Sequence, residues 1–78
     1  MWIKTGPHRL ISADAARLDS IQLRPITHSE SFALFFKGKE ELMVNVGEDL
    51  DAAERLLERV AEALARGERF LDLSAELG

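Results

Sequence analysis

The chain has 78 residues, of which 46% are hydrophobic and 31% are charged. A chain of this length forms one domain with a modest core, and this composition excludes both a disordered chain and a membrane-embedded one. The absence of cysteine excludes disulfides, thiolate ligands and cysteine nucleophiles. Residues 1–39 carry a net charge of +3 and residues 40–78 a net charge of −7. This split suits pairing with an oppositely charged surface, and it also fits a sheet followed by a solvated helix.

The N-terminal residues predict three strands. The run "MWIKT" is aromatic and β-branched and stops at the turn signal Gly6-Pro7. The run "HRLIS" continues as a second strand, and alternation over residues 18–24 indicates a third. Pro25 ends that strand or lies at its edge, because proline cannot donate a hydrogen bond to a neighbouring strand.

Residues 31–46, "SFALFFKGKEELMVNV", predict a hairpin that turns around Gly38. Side chains alternate along a strand, so its first strand has two distinct faces. One face carries Phe32, Leu34 and Phe36, and the other carries Ala33, Phe35 and Lys37. Both faces are therefore largely apolar, and the sequence leaves open what covers the second one.

The helix is predicted over residues 50–66, where apolar side chains recur at helical spacing. Its predicted apolar stripe contains Leu50, Ala53, Leu57, Val60, Ala61 and Leu64, with Leu56 beside them. Either Asp49 or Asp51 is expected to cap its N-terminus, and Gly67 to stop it. The tail, residues 68–78, is compatible with a last strand or a short second helix.

These elements predict a single α+β domain over residues 1–78. We expect a small curved antiparallel sheet of four to five strands within residues 1–47, with the helix packed on one of its faces. No apolar run reaches the roughly 20 residues of a membrane span, and the first residues lack the apolar core of a signal peptide. The expected location is therefore the cytoplasm, with no membrane partner.

The order of elements resembles that of small bacterial and phage proteins of unassigned function. These proteins open with a short strand, continue with a motif like Leu-Ile-Asn-x-Asp and then Ile-x-x-Ile, form a hairpin and close with an acidic amphipathic helix. The corresponding residues here are Leu10, Ile11, Ser12 and Asp14, followed by Leu18 and Ile21. The resemblance implies the fold and brings no catalytic residues.

Side chains capable of catalysis or metal binding are sparse. The two histidines, His8 and His28, lie twenty positions apart, whereas zinc sites usually need three or four ligands with one close pair. His28-Ser29-Glu30 supplies an imidazole, a hydroxyl and a carboxylate, but no glycine-rich nucleophile turn or phosphate-binding loop accompanies them. We expect no enzymatic activity, no metal and no cofactor, with a small-molecule or hydrolytic site near His28 as an alternative.

Nucleic-acid binding is a second alternative. Aromatic side chains edged by basic ones can stack bases on a sheet, and the candidates are Trp2, Lys4, Arg24, Phe35 and Lys37. The overall charge of −4 opposes this function, because phosphates would be repelled elsewhere on the surface.

The favoured hypothesis is a non-enzymatic interaction or assembly module that self-associates as a homodimer or binds another protein. Its surface would be the outer face of the sheet together with the tail, because an apolar island on a small protein usually marks an interface. The tail folding back over Phe35 is the competing explanation within the chain. The candidate interface residues are Trp2, Ala33, Phe35, Met43, Phe70, Leu71 and Leu73.

Overall fold

A computed structural model describes residues 1–14 and 16–77, and Ala15 and Gly78 lie outside the described residues. Within the described residues the chain is an α+β fold of six strands and two helices, one of them a single turn. In chain order the elements are β1 (Trp2–Gly6), β2 (Arg9–Ser12), β3 (Leu18–Pro25), β4 (Phe32–Gly38), β5 (Glu41–Gly47), α1 (Leu50–Ala65), β6 (Phe70–Asp72) and α2 (Ser74–Leu77).

The strands form two sheets of three strands each, ordered β2-β1-β6 and β3-β4-β5. The α+β class is confirmed, but the prediction of a single antiparallel sheet of four to five strands is wrong, because the described residues form six strands in two sheets. The additional strand is β6, which pairs with β1 in the parallel direction while the other described pairs are antiparallel. Alternation of side chains predicts that a strand exists, but it does not identify the partner strand, which lies at the other end of the chain.

The core lies between the inner faces of the two sheets and α1. The predicted inner residues of β4 contribute to it: Leu34 and Phe36 are buried, and Phe32 packs against the same cluster while partly exposed. The other buried members come from β1, β2, β5, α1 and the tail, and they include Ile3, Ile11, Val44, Val60 and Leu73. Both sheets therefore bury one face and leave the other facing outward.

Helix α1 begins and ends close to the predicted positions. Asp49 is the N-cap, since its carboxylate accepts hydrogen bonds from the backbone N–H groups of Asp51 and Ala52. At the other end Gly67 adopts a left-handed φ of 71°, and the N–H of Glu68 donates to the carbonyl of Ala63. This is the Schellman arrangement, which favours glycine because other residues rarely adopt that backbone conformation.

The buried stripe of α1 is rotated relative to the predicted one. Its buried residues are Ala53, Leu56, Val60 and Ala63. Leu57 and Leu64 lie partly buried on one flank of this stripe, whereas Leu50 and Ala61, which were predicted to be buried, are exposed. Apolar spacing predicts a broad face, and only packing against both sheets decides which line of that face is covered.

The tail combines both structures that the sequence allowed, a strand followed by one helical turn. The N–H of Trp2 donates to the carbonyl of Arg69, and the N–H of Leu73 donates to the carbonyl of Lys4. These bonds hold β6 along the edge of β1, and α2 packs against β1 and β5. None of the helices in residues 1–14 and 16–77 is long and apolar enough to cross a membrane.

Candidate interaction surface

Exposed apolar side chains concentrate on the outer face of the β2-β1-β6 sheet. Five large hydrophobic side chains are exposed among the described residues: Trp2, Leu10, Met43, Leu50 and Phe70. Three of them, Trp2 (54% exposed), Leu10 (56%) and Phe70 (53%), belong to this single face. A group of adjacent exposed side chains carries more weight than scattered ones, which are ordinary on any protein.

Strand alternation and register bring these residues together. In β1, β2 and β6 the side chains of Ile3, Ile11 and Leu71 share one register row and point into the core. The residues on either side of that row must therefore point outward. They form two rows, Ser12–Trp2–Phe70 and Leu10–Lys4–Asp72. We call these six residues the Trp2 face.

Asp72 combines a structural role with the charge of the Trp2 face. Its Oδ1 accepts hydrogen bonds from the hydroxyl of Ser74 at 2.6 Å and from the backbone N–H of Ser74 at 2.9 Å. These two bonds, the hydroxyl first, lower the pKa of Asp72 below its ordinary value. Desolvation opposes them, and the positive charges of Lys4 and Arg59 lower the pKa further by smaller amounts. Ionised Asp72 thus caps the helical turn α2 through Oδ1, and its Oδ2 takes part in neither of these hydrogen bonds.

Replacing Ser74 with alanine is expected to raise the pKa of Asp72 toward its ordinary value near 4, because the strongest hydrogen bond to the carboxylate is lost. The folded-state pKa lies below the unfolded-state one, so ionised Asp72 stabilises the fold above the unfolded pKa. That contribution disappears as the pH falls through the folded pKa.

The measurement is an NMR titration of the Asp72 side-chain carboxyl carbon. Ser12→Ala is the matched control, since Ser12 lies on the same face but makes no hydrogen bond to Asp72. An unchanged Asp72 titration in Ser74→Ala would contradict the assignment of the hydroxyl as the main cause.

The outer face of the other sheet is covered differently. The guanidinium carbon of Arg24 on β3 lies 4.0 Å from the centre of the Phe35 ring, and its Nη2 lies 3.4 Å from Oε1 of Glu41 on β5. Phe35 is therefore partly buried beneath a cation of its own sheet. The tail, which was the competing cover for Phe35, instead pairs with β1.

The structure places the predicted interface residues in different environments. Trp2 and Phe70 are exposed next to one another on the Trp2 face, and Met43 is exposed beside the partly buried Phe35 on the other sheet. Leu71 points inward and packs against the core.

Two of the predicted interface residues, Ala33 and Leu73, have almost no exposed surface in this chain, so the prediction that they are exposed is wrong. Ala33 has no exposed surface because its small side chain lies in the central strand between Arg24 and Asn45 of the flanking strands. Leu73 is 1% exposed because it follows the inward-facing Leu71 by two positions.

The residues proposed for nucleic-acid binding do not share one face. Trp2 and Lys4 belong to one sheet, whereas Arg24, Phe35 and Lys37 belong to the other. On that second sheet Glu41 lies 3.4 Å from Arg24 and 4.0 Å from Lys37, so these three side chains leave a net charge of only +1. On the Trp2 face Asp72 lies next to Lys4. Neither face is a basic platform for phosphates.

The two histidines lie in separate exposed turns. His8 follows β1, and His28, with a left-handed φ of 61°, lies between β3 and β4. Within residues 1–14 and 16–77 no three histidine or carboxylate side chains come close enough to hold one metal ion. Ser29 and Glu30 are also exposed in the same turn as His28.

One cleft in the described part of the chain has a volume of about 720 Å³. It opens between the turn before β3 and the β4–β5 hairpin, with Phe36, Leu18 and Leu42 among its lining residues. Its charged side chains are Asp14, Arg17, Lys39 and Glu40. Two are acidic and two are basic, so the cleft favours neither anionic nor cationic ligands.

Sequence reasoning missed Leu10 and Asp72 as parts of the surface. A signal for Leu10 was available, because in the strand "HRLIS" it must point away from the side on which Ile11 is buried. Asp72 had no comparable signal, since its place beside Lys4 depends on the pairing of β6 with β1.

No family model, curated protein or solved structure matches this chain. The resemblance to small bacterial and phage proteins therefore stays a prediction, and function has to be argued from the surface alone.

Proposed function

We propose that this protein is a non-enzymatic interaction module that self-associates as a homodimer through the Trp2 face. The observation that carries the proposal is the clustering of Trp2, Leu10 and Phe70, each more than half exposed, on one face of one sheet. An isolated pair of half-exposed aromatic side chains leaves roughly 200 Å² of apolar surface in water. Burial of such a cluster is the ordinary source of binding energy in protein interfaces.

A sheet with one face in the core and one exposed apolar face can bury the exposed face against a second protein surface. The inner face of β2-β1-β6 is covered by the core, and its outer face carries Trp2 on the central strand, Phe70 on the edge strand and one charge of each sign. A second copy brings a surface of the same composition. It also adds apolar burial, which a domain of 78 residues needs because its own core is small.

This proposal moves the interface from Phe35 to Trp2. Phe35 was the central residue of the surface expected from sequence, but Arg24 lies over its ring within the same chain. Met43 is exposed on that face, but the apolar side chain beside it, Phe35, is partly buried.

The test is the molar mass in solution, measured by size-exclusion chromatography with light scattering and by sedimentation equilibrium. We expect the wild type to approach dimer mass at high micromolar concentration. Trp2→Ser should raise the dissociation constant by roughly 30-fold or more, because an interface tryptophan of this kind contributes about 2 kcal/mol or more.

Met43→Ser is the matched control, because it removes an exposed apolar side chain from the outer face of the other sheet. It should leave the dissociation constant unchanged. A monomeric wild type over the whole concentration range, or equal losses in Met43→Ser and Trp2→Ser, would contradict the proposal.

A further inference from the structure

The pairing of β1 with β6 places four outward side chains at the corners of a rectangle. Trp2 lies beside Phe70, and Lys4 lies beside Asp72, in a parallel register. Neighbouring strands are about 4.8 Å apart, and outward residues along a strand are about 6.6 Å apart. One end of the rectangle is therefore aromatic, and the other end carries one positive and one negative charge.

We infer that two copies of this chain meet face to face about a two-fold axis that runs along the strands, midway between β1 and β6. The inference rests on the proposed function and deepens it by naming the orientation of the partner copy. Rotation about that axis exchanges the positions of β1 and β6 while keeping their direction. It lays Trp2 on Phe70 of the other copy and Lys4 on Asp72 of the other copy, and each contact occurs twice.

This axis satisfies both kinds of contact at once. The same rotation that stacks the aromatic rings also brings opposite charges together, because the register pairs Trp2 with Phe70 and Lys4 with Asp72. An in-plane axis perpendicular to the strands would place Trp2 on Lys4 and Phe70 on Asp72 of the other copy. Aromatic rings prefer offset or edge-to-face packing with one another, so the axis along the strands is the complementary one.

The charged side chains are available for contacts between copies. Within residues 1–14 and 16–77 Lys4 makes no ion pair within 4 Å. Both hydrogen bonds from Ser74 reach Oδ1 of Asp72, which leaves Oδ2 as the acceptor for the Lys4 ammonium of the second copy. Arg59 is paired with Glu76 at the other side of the tail. The ion pairs at the charged end of the interface are thus formed by Lys4 and Asp72.

The size of the face sets the strength of the dimer. About this axis β1 and β6 overlap the same strands of the other copy over roughly 10 by 15 Å, while β2 with Leu10 lies at the margin. This overlap is far less than the roughly 800 Å² per partner of a standard stable interface, so the dimer should be weak.

The experiment reverses one charge at a time and then mixes the variants. Lys4→Asp makes the charged end of the rectangle wholly acidic, and Asp72→Lys makes it wholly basic. Each variant alone should dimerise at least tenfold more weakly than the wild type, because like charges meet at both corners. A mixture of the two should form a one-to-one heterodimer at or near wild-type affinity, because both corners then hold opposite charges.

Sedimentation equilibrium measures the three affinities, and native mass spectrometry identifies the heterodimer by its mass. Asp72→Lys also removes the cap on α2, so circular dichroism and thermal melting must show that this variant is folded. If it is not, Asp72→Asn replaces it, since the amide oxygen still accepts from Ser74 while the charge is lost. Asp72→Asn should weaken the dimer severalfold, and its mixture with Lys4→Asp should form a heterodimer that is tighter than the Lys4→Asp homodimer but weaker than the wild type, because only one corner then holds opposite charges.

The outcomes separate the inference from the proposed function. If the wild type dimerises and Trp2→Ser abolishes the dimer while Lys4→Asp leaves the affinity unchanged, the proposed function stands and the two-fold arrangement is overturned. Loss of affinity in both charge variants without rescue in their mixture also overturns the arrangement. A wild type that stays monomeric overturns both.

Discussion

Replacing Phe36 with alanine is expected to lower the free energy of unfolding by about 3–5 kcal/mol. Phe36 is 2% exposed and is among the largest fully enclosed or nearly enclosed side chains of the core. The loss combines the removal of a buried ring from apolar surroundings with the cavity that it leaves. A domain of this length has a total stability on the order of 4–12 kcal/mol, so the variant should lose a large part of its stability and melt at a clearly lower temperature.

The preceding residue is a matched control of the same type. Phe35 lies on the opposite face of β4 and is partly buried beneath Arg24. Phe35→Ala should cost about 1–2 kcal/mol, since it removes a partly exposed ring and one cation–π contact. Urea denaturation followed by circular dichroism at 222 nm measures both, and Trp2 is a poor probe because it is half exposed. Equal losses in the two variants would contradict the assignment of faces in β4.

Replacing Leu73 with alanine is expected to lower the free energy of unfolding by about 2–5 kcal/mol and to release the tail. Leu73 is 1% exposed, and its backbone N–H donates to the carbonyl of Lys4 at 2.9 Å. The N–H of Leu77 in turn donates to the carbonyl of Leu73 at 3.0 Å. Leu73 therefore joins β6 and α2 to the core by both its side chain and its backbone.

Phe70→Ala is the control for this second variant, because Phe70 belongs to the same short tail but is exposed. It should change the stability of the monomer by less than about 1 kcal/mol. Denaturation at low concentration measures the stabilities, and limited trypsin digestion after Arg69 reports release of the tail. A Leu73→Ala protein as stable and as resistant to trypsin as Phe70→Ala would show that the tail is not held through Leu73.

The proposed surface depends on that same tail. Phe70 and Asp72 reach the Trp2 face because β6 pairs with β1, and β6 is only three residues long. So short a strand is weakly held by its own hydrogen bonds, and the buried Leu73 supplies the additional anchoring. Loss of Leu73 should therefore weaken self-association as well as folding, whereas loss of Phe70 should weaken self-association alone.

The sequence by itself determined the elements whose pattern is local. The alternation in residues 32–36 placed Leu34 and Phe36 on the buried face, and helical spacing with Asp49 and Gly67 at its ends marked out α1. These properties follow from neighbouring residues, because the periods of strands and helices and the hydrogen bonds of caps act over a few positions.

Only the tertiary structure decided which faces are covered and which strands are partners. Arg24 lies over Phe35 because β3 and β4 align Gln22 and Arg24 with Phe35 and Ala33, and Trp2 lies beside Phe70 because the tail returns to the edge of β1. Strand pairing joins residues far apart in the chain, and its register depends on the packing of the whole core rather than on any local pattern. The surface on which the proposed function rests therefore forms only when β6 pairs with β1, and neither segment contains it alone.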